Sequence, residues 1–150
     1  MAEDRDGLLR HYAGTRDDLL AAIAGLGDAD LTERSLDGWS VADHLAHIAL
    51  WDDIRTSEVA RISAGHASAW RMTEAQVTAY NAIGHDLRQH LSPVQALWEL
   101  AASRAALLEA IAAASPRGLD AALYTEAALR STHEAQHTAW IRRWRAERRP

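Results

Sequence analysis

The apolar residues of this chain recur with the period of an α-helix from one end to the other. Alanine-rich segments with apolar positions three and four residues apart alternate with short breaks, and no segment shows the period of two expected of a β-strand. The first predicted helix runs from about Asp6 to Leu26, where Gly25 and Gly27 stop it. The pattern therefore predicts an all-α protein.

Start signals mark the next helices. Ser40, with Asp43 three residues later, forms a variant of the capping box, and the second helix is expected to end near Ala64. A weaker third helix is predicted to begin near Thr73 and to fray around Gly84 and the sequence RQHLS (residues 88–92).

The last two predicted helices complete the bundle. Ser92 as N-cap and Pro93 at the first helical position begin the fourth helix, which ends at the sequence SPRG. The last helix is predicted over roughly Leu123 to Glu147. Together these elements predict a four-helix bundle with one extra short element, in a single domain over residues 1–150.

Composition narrows the possible functions. The chain has no cysteine, so disulfides, thiolate metal ligands and a thiol nucleophile from the protein are excluded. Any metal ion would have to be held by His, Asp or Glu. The formal net charge of −5 argues against binding nucleic acid through phosphate neutralisation. Since no apolar run is long enough to span a bilayer, we expect no membrane segment and a cytoplasmic protein.

Histidines provide the candidate chemistry. His133 and His137 are one turn apart on the apolar side of the last predicted helix. Imidazoles at this spacing can bind one metal ion together, although two histidines satisfied by hydrogen bonds alone are an alternative. In the second helix, His44 and His47 share a face with Asp52. The periodicity places His44 nearer the centre of the apolar stripe, but spacing alone does not decide which histidine points inward.

Three features taken together resemble the DinB/YfiT-like superfamily of four-helix bundles. They are the WS pair at the start of the second helix, the sequence HLAHIALWD within it, and the HxxxH followed by Trp in the last helix. The resemblance covers nearly the whole chain and implies a divalent ion, zinc or nickel, held by His47, His133 and His137. In that pattern His44 has no ligand role, and Asp52 is only a candidate acceptor beside the ligands.

The resemblance also implies an activity. Members of the superfamily are known or proposed to use low-molecular-weight thiols such as mycothiol or bacillithiol in transferase and isomerase reactions. Because a tri-histidine site with an open position can ionise a bound water or thiol, the leading hypothesis is a thiol-dependent S-transferase or isomerase acting on a small electrophile. The alternatives are a metal-hydroxide hydrolase that protects against a reactive small molecule, and a non-catalytic metal-binding stress protein. A homodimer is expected by analogy only.

Other large side chains are weaker candidates for substrate contacts. Arg55 and Arg104 lie on faces from which a guanidinium could hold a carboxylate, but a salt bridge to a neighbouring acid is the simpler interpretation of each. In a non-catalytic protein, the stretch from Gly65 to Met72 would be an exposed linker. Most of the large aromatic residues are expected to pack the core. Those considered for the substrate side are Trp51, Trp70, Tyr80, Trp98, Trp140 and Trp144.

Overall fold

The computed structural model describes residues 2–148, over which every regular element is helical. The all-α prediction is therefore confirmed for these residues. Two single-turn 3-10 helices, Arg117–Leu119 and Ala121–Leu123, precede the last α-helix. The six α-helices of this region are α1 (Arg5–Ile23), α2 (Asp28–Thr32), α3 (Val41–Ser63), α4 (Glu74–Arg88), α5 (Pro93–Ala112) and α6 (His133–Glu147).

Three of these helices begin where their capping residues predict. At the start of α3, the hydroxyl of Ser40 accepts a hydrogen bond from the backbone N–H of Asp43 at 3.0 Å. The Asp43 carboxylate in turn accepts from the Ser40 N–H at 2.9 Å. Thr73 and Ser92 make the same reciprocal arrangement with a glutamine three residues later. These capping boxes satisfy backbone donors that the first helical turn leaves without partners.

The prediction for the last helix was wrong at its start, because α6 begins at His133 and not near Leu123. The segment between them makes its hydrogen bonds to other parts of the fold. The carbonyl of Ala128 accepts a hydrogen bond from Nε of Arg55 at 2.7 Å. Two side chains of α1 likewise donate hydrogen bonds to two further carbonyls of this segment. These tertiary hydrogen bonds replace the bonds that a continuing helix would make.

The predicted fraying of the third helix was wrong at Gly84 but confirmed at RQHLS, whose first residue, Arg88, is the last of the helix. Helix α4 continues through this glycine to Arg88. A Cβ atom added at Gly84 would lie 2.8 Å from Cδ2 of Leu50 on α3. The glycine therefore allows the two helices to approach closely, which offsets its low helix propensity.

The end of the first helix lies slightly earlier than predicted. Helix α1 ends at Ile23 and not at Leu26, and Gly25 adopts a left-handed conformation with φ of +82°. The sequence patterns gave no indication of the five-residue helix α2 that follows.

The bundle consists of α1, α3, α5 and α6, each of which packs against two or more of the others. Helix α4 packs on α3, and none of its residues is buried. Helices α2 and α4 are therefore additional to the four helices of the bundle. Over the described residues, none of the helices combines the length and apolar character needed to cross a bilayer.

Among the described residues the core contains three apolar clusters, and the two larger ones are separated along the helices by buried charges. The first cluster includes Leu19, Leu45, Ile48, Leu100 and Ile141, and the second includes Leu8, Val59, Ile62, Leu107 and Ile111. The charges between them, which we call the charged layer, are Arg16, Asp52, Arg55, Arg104 and Glu134. All four helices of the bundle contribute to this layer.

Candidate metal centre

The histidines of α3 and α6 meet inside the bundle. The Nε2 atom of His133 lies 3.0 Å from Nε2 of His47 and 3.0 Å from Nε2 of His137. One ligand atom from each of these three residues lies within 4.8 Å of those of the other two. We call these three residues the tri-histidine cluster. His47 and His137 are buried and His133 is half-buried.

The hydrogen-bonding capacity of imidazole tests whether a metal fits this cluster. A neutral ring nitrogen carries either one hydrogen or one lone pair in the ring plane. Nε2 of His133 therefore cannot form good hydrogen bonds to both of its neighbours at once. Three nitrogen ligands on a tetrahedral zinc ion, with bonds of ~2.0–2.1 Å, would lie roughly 3.3 Å apart, close to the two spacings of 3.0 Å made by His133. The cluster can therefore hold a metal ion.

Burial keeps these imidazoles neutral. It lowers the pKa of His47 to about 3, with further contributions from the nearby His133 and His44. Burial also lowers the pKa of His133 to about 4, where the positive charge of Arg55 acts in the same direction. The pKa of His137 is lowered as well, chiefly by burial. A metal ion needs deprotonated ligands, so the cluster is in the required state at neutral pH.

His44 points inward together with His47, which resolves the ambiguity of the helical spacing. Both are buried, but Nδ1 of His44 lies 2.7 Å from Nδ1 of His137, outside the tri-histidine cluster. If Nε2 of His137 offers its lone pair to a metal, Nδ1 of that ring carries the hydrogen and donates to His44. In this arrangement Nε2 of His44 carries a hydrogen, and this buried atom has no hydrogen-bond partner of good geometry within residues 2–148.

Asp52 does not orient a histidine. Among the described residues, the side-chain partners of its carboxylate are all guanidinium groups. Its shortest hydrogen bond comes from Nε of Arg104 at 2.9 Å, and Nη2 of Arg16 donates at 3.2 Å. Asp52 is thus a member of the charged layer and not an acceptor beside the candidate ligands.

Glu134 is the second acid of the charged layer and was not recognised in the sequence. It follows His133 directly and accepts from Nη2 of Arg104 and from Nε of Arg16, each at 3.0 Å. The salt-bridge interpretation of Arg104 is therefore confirmed. Its position in the sequence could have indicated this role. A glutamate that directly follows an inward-facing histidine at the start of a helix lies close to the core.

A cavity of about 430 Å³ lies beside the histidines, and we call it the histidine cavity. Trp39 and Trp140 contribute aromatic walls, and Asn81 a polar one. The ring of Trp39 stacks on His85 at a centroid distance of 4.4 Å and contacts the ring of His47 at 5.3 Å. Trp39 belongs to the WS pair of the family resemblance but was not considered as a substrate contact.

A second cavity of about 290 Å³ is also lined by His133. Its wall includes Trp51, Arg55 and Arg130, and we call it the arginine cavity. Asn81 lines both cavities, as does His133. Since Nε1 of Trp51 donates to Oδ1 of Asn81 at 2.9 Å, the NH₂ group of this amide is left to donate elsewhere.

The other aromatic candidates divide between packing and surface. Trp144 is buried in the first apolar cluster, and Trp70 packs on Tyr80 at a centroid distance of 5.2 Å. Trp98 is 67 % exposed and lines neither cavity. The stretch from Gly65 to Met72 is largely exposed, as predicted for a linker, but it is anchored at Ser68, which is buried and donates to the Glu58 carboxylate.

The fold and the histidine geometry together define a helical bundle with a candidate tri-histidine metal site. A family model described as the DinB superfamily matches residues 11–141. The chain therefore belongs to the DinB superfamily, as the motif resemblance implies. A search of curated proteins and a search of solved structures find no significant match.

Proposed function

We propose that this protein is a divalent-metal-dependent enzyme whose ligands are His47, His133 and His137. Its reaction is the transfer of a low-molecular-weight thiol to a small electrophile, or a thiol-dependent isomerisation. The observation that carries the proposal is the convergence of three neutral Nε2 atoms at the wall of a cavity large enough for a small molecule. A structural site is instead closed by four protein ligands.

A bound divalent ion would supply the acidity that ionises a thiol or a water at neutral pH. The chain itself has no cysteine, so the thiol must enter as a cosubstrate. With Nε2 of His137 on the metal, Nδ1 of that ring would carry the hydrogen and His44 would accept it, which keeps Nε2 available as a ligand. Trp39 and Trp140 give the histidine cavity apolar walls, and Asn81 offers its amide hydrogens where the two cavities meet.

The alternatives use the same residues. A hydrolase would ionise water in place of the thiol and would need no cosubstrate. A non-catalytic metal-binding protein would need no substrate space, and the histidine cavity argues against it. Zinc or nickel as the ion, a homodimer and a cytoplasmic location stay predictions.

The first experiment is metal analysis of the purified, untagged protein by mass spectrometry. Turnover of the electrophile 1-chloro-2,4-dinitrobenzene is then followed with and without added thiol, where the thiolate forms a C–S bond and chloride leaves. We expect metal-dependent turnover that requires the thiol. Turnover of hydrolysable esters without any thiol would favour the hydrolase, and absence of metal after incubation with zinc and with nickel would exclude both enzymes.

A further inference from the structure

The charged layer carries more positive than negative charge. Its three arginines, Arg16, Arg55 and Arg104, are opposed by the two carboxylates of Asp52 and Glu134, and each of the five residues is at most 9 % exposed. A buried charge without a counterion is strongly destabilising. One further negative charge would therefore balance the charge of the layer.

The excess positive charge lies at Arg55. Arg104 and Arg16 each contact both carboxylates at distances of 2.9 to 3.2 Å. Arg55 reaches only Asp52, with Nη1 at 3.5 Å from Oδ1, which is a long and weak hydrogen bond.

The other contacts of the Arg55 guanidinium are to backbone carbonyls, and one edge of the group faces the arginine cavity. Nε donates to the carbonyl of Ala128 at 2.7 Å, and Nη1 lies 3.4 Å from the carbonyl of Trp51. Nothing within the described part of the chain accepts a hydrogen bond from Nη2. The side chain is thus positioned rigidly and keeps unused donors.

The space beside Arg55 is the arginine cavity. Its wall also contains Ser131, Thr132 and Gln136 from the first turn of α6 and the residues before it, where the helix dipole favours an anion. Thr132 makes no side-chain cap to this turn. Two exposed charges lie at the wall, Glu126 and Arg130, and Arg130 is paired with Glu3 at 2.7 Å.

We infer that the arginine cavity is an anion subsite in which Arg55 binds a carboxylate. One carboxylate neutralises the single excess charge of the charged layer, whereas a phosphate dianion would reverse it. His133 lies between this cavity and the histidine cavity, so a ligand anchored on Arg55 extends toward the tri-histidine cluster. The substrate class is then a small electrophile that carries a carboxylate. The assignment of the substrate class rests on the proposed function, whereas the binding of an anion at Arg55 does not.

The direct test is a titration of the full-length protein with propionate, observed by ¹H–¹⁵N correlation NMR. The probes are the Arg55 Nε–H, which is held by the Ala128 carbonyl, and the Trp51 indole N–H in the same cavity. We expect both signals to shift with saturation, while the indoles of Trp39 and Trp140 stay unchanged. Neutral propionamide should have no effect. Absence of a saturable shift at Arg55, or tighter binding of inorganic phosphate than of propionate, would overturn the inference.

Variants assign the binding to Arg55. We expect Arg55→Gln to weaken propionate binding about tenfold or more, because it removes a charge-assisted hydrogen bond, and Arg55→Lys to weaken it less. Arg142→Gln makes the same change of charge at an exposed position of α6 and should leave binding unchanged. Loss of binding in Arg130→Gln but not in Arg55→Gln would place the anion at the rim and contradict the inference. If Arg55→Gln does not fold, the wild-type titration still decides.

The same titration separates this inference from the proposed function. His47 does not line the arginine cavity, so His47→Ala and chelator-treated wild type should still bind propionate. If both lose binding, the anion is held by a metal ion and the subsite is wrong, although the metal proposal stands. If wild type contains no metal but binds propionate at Arg55, the proposed function fails and the subsite stands.

Discussion

Helices α3 and α6 contribute to two sets of polar residues inside the bundle, the charged layer and the tri-histidine cluster. The two sets lie close together but are organised in opposite ways. In the charged layer, carboxylates and guanidinium groups face each other, and Asp52 and Glu134 each contact more than one arginine. In the tri-histidine cluster, three ring nitrogens converge and cannot all satisfy one another. Polar groups that complement each other hold helices together, whereas groups that converge on one point leave a position for a ligand.

The largest effect should come from breaking the charged layer. Asp52→Asn removes a charge that Arg16 and Arg104 share, and we expect the free energy of unfolding to fall by ~3–5 kcal/mol because buried guanidinium groups lose their counterion. Urea denaturation of the metal-free protein measures it. The matched control is Asp53→Asn, at the neighbouring but exposed carboxylate, which should change stability by less than ~0.5 kcal/mol. Equal effects of the two variants would show that the layer is not a structural unit.

Changes in the tri-histidine cluster should affect metal binding and leave the fold intact. We expect wild type to bind about one divalent ion per chain and to unfold at a higher temperature when loaded. His47→Ala and His133→Ala should lose both the ion and this stabilisation. His66→Ala and His90→Ala, at exposed histidines, are the controls and should retain both. Retention of the ion by His47→Ala would refute the ligand set.

Acid should weaken the metal-free fold through the histidines. In the native state burial lowers the pKa of His44 and of His133 to about 4, from a usual value of 6.5. The unfolded chain therefore binds more protons between these values, and the free energy of unfolding falls as the pH drops from about 6.5 toward 4. Each histidine contributes at most about 1.4 kcal/mol per pH unit.

Urea denaturation at several pH values, with a chelator present, measures this dependence. The double variant His44→Gln with His133→Gln should have a shallower pH dependence than wild type. An unchanged dependence would mean that these rings are not neutral and buried in the folded protein.

The smallest effect should come from His44, which supports the cluster without belonging to it. Because it fixes the hydrogen on Nδ1 of His137, His44→Ala should lower metal affinity by ~10–100-fold without abolishing binding. His44→Gln, which can still accept that hydrogen bond, should recover part of the loss. Competition with a metal-sensitive dye measures both affinities. Complete loss of metal in His44→Ala would instead make His44 a ligand.

Features that depend on neighbours in sequence were largely predictable. The capping residues Ser40, Thr73 and Ser92 mark the starts of their helices, because a cap requires only a side-chain oxygen and a backbone N–H three residues on. The spacing of His133 and His137 places both rings on one face for a similarly local reason. The helical class follows from the period of the apolar residues.

Features that depend on contacts between distant helices were not predictable from the pattern. His44 meets His137 across 93 residues of sequence, and periodicity along α3 gives no information about which residue of another helix lies opposite. Trp39 and Asn81 were missed as cavity residues for the same reason. Arg55 and Arg104 looked alike in the sequence, yet Arg104 is fully paired and Arg55 keeps donors toward a cavity.

The amino-acid sequence by itself determined the all-α class, most helix starts and the shared face of His133 and His137, since a helix fixes such spacings locally. Only the tertiary structure decided that α6 begins at His133. Side chains of other helices donate hydrogen bonds to the backbone carbonyls that precede it. It also decided which buried polar groups are satisfied and which converge on an open position. Those outcomes depend on distances between helices, which packing of the whole bundle sets.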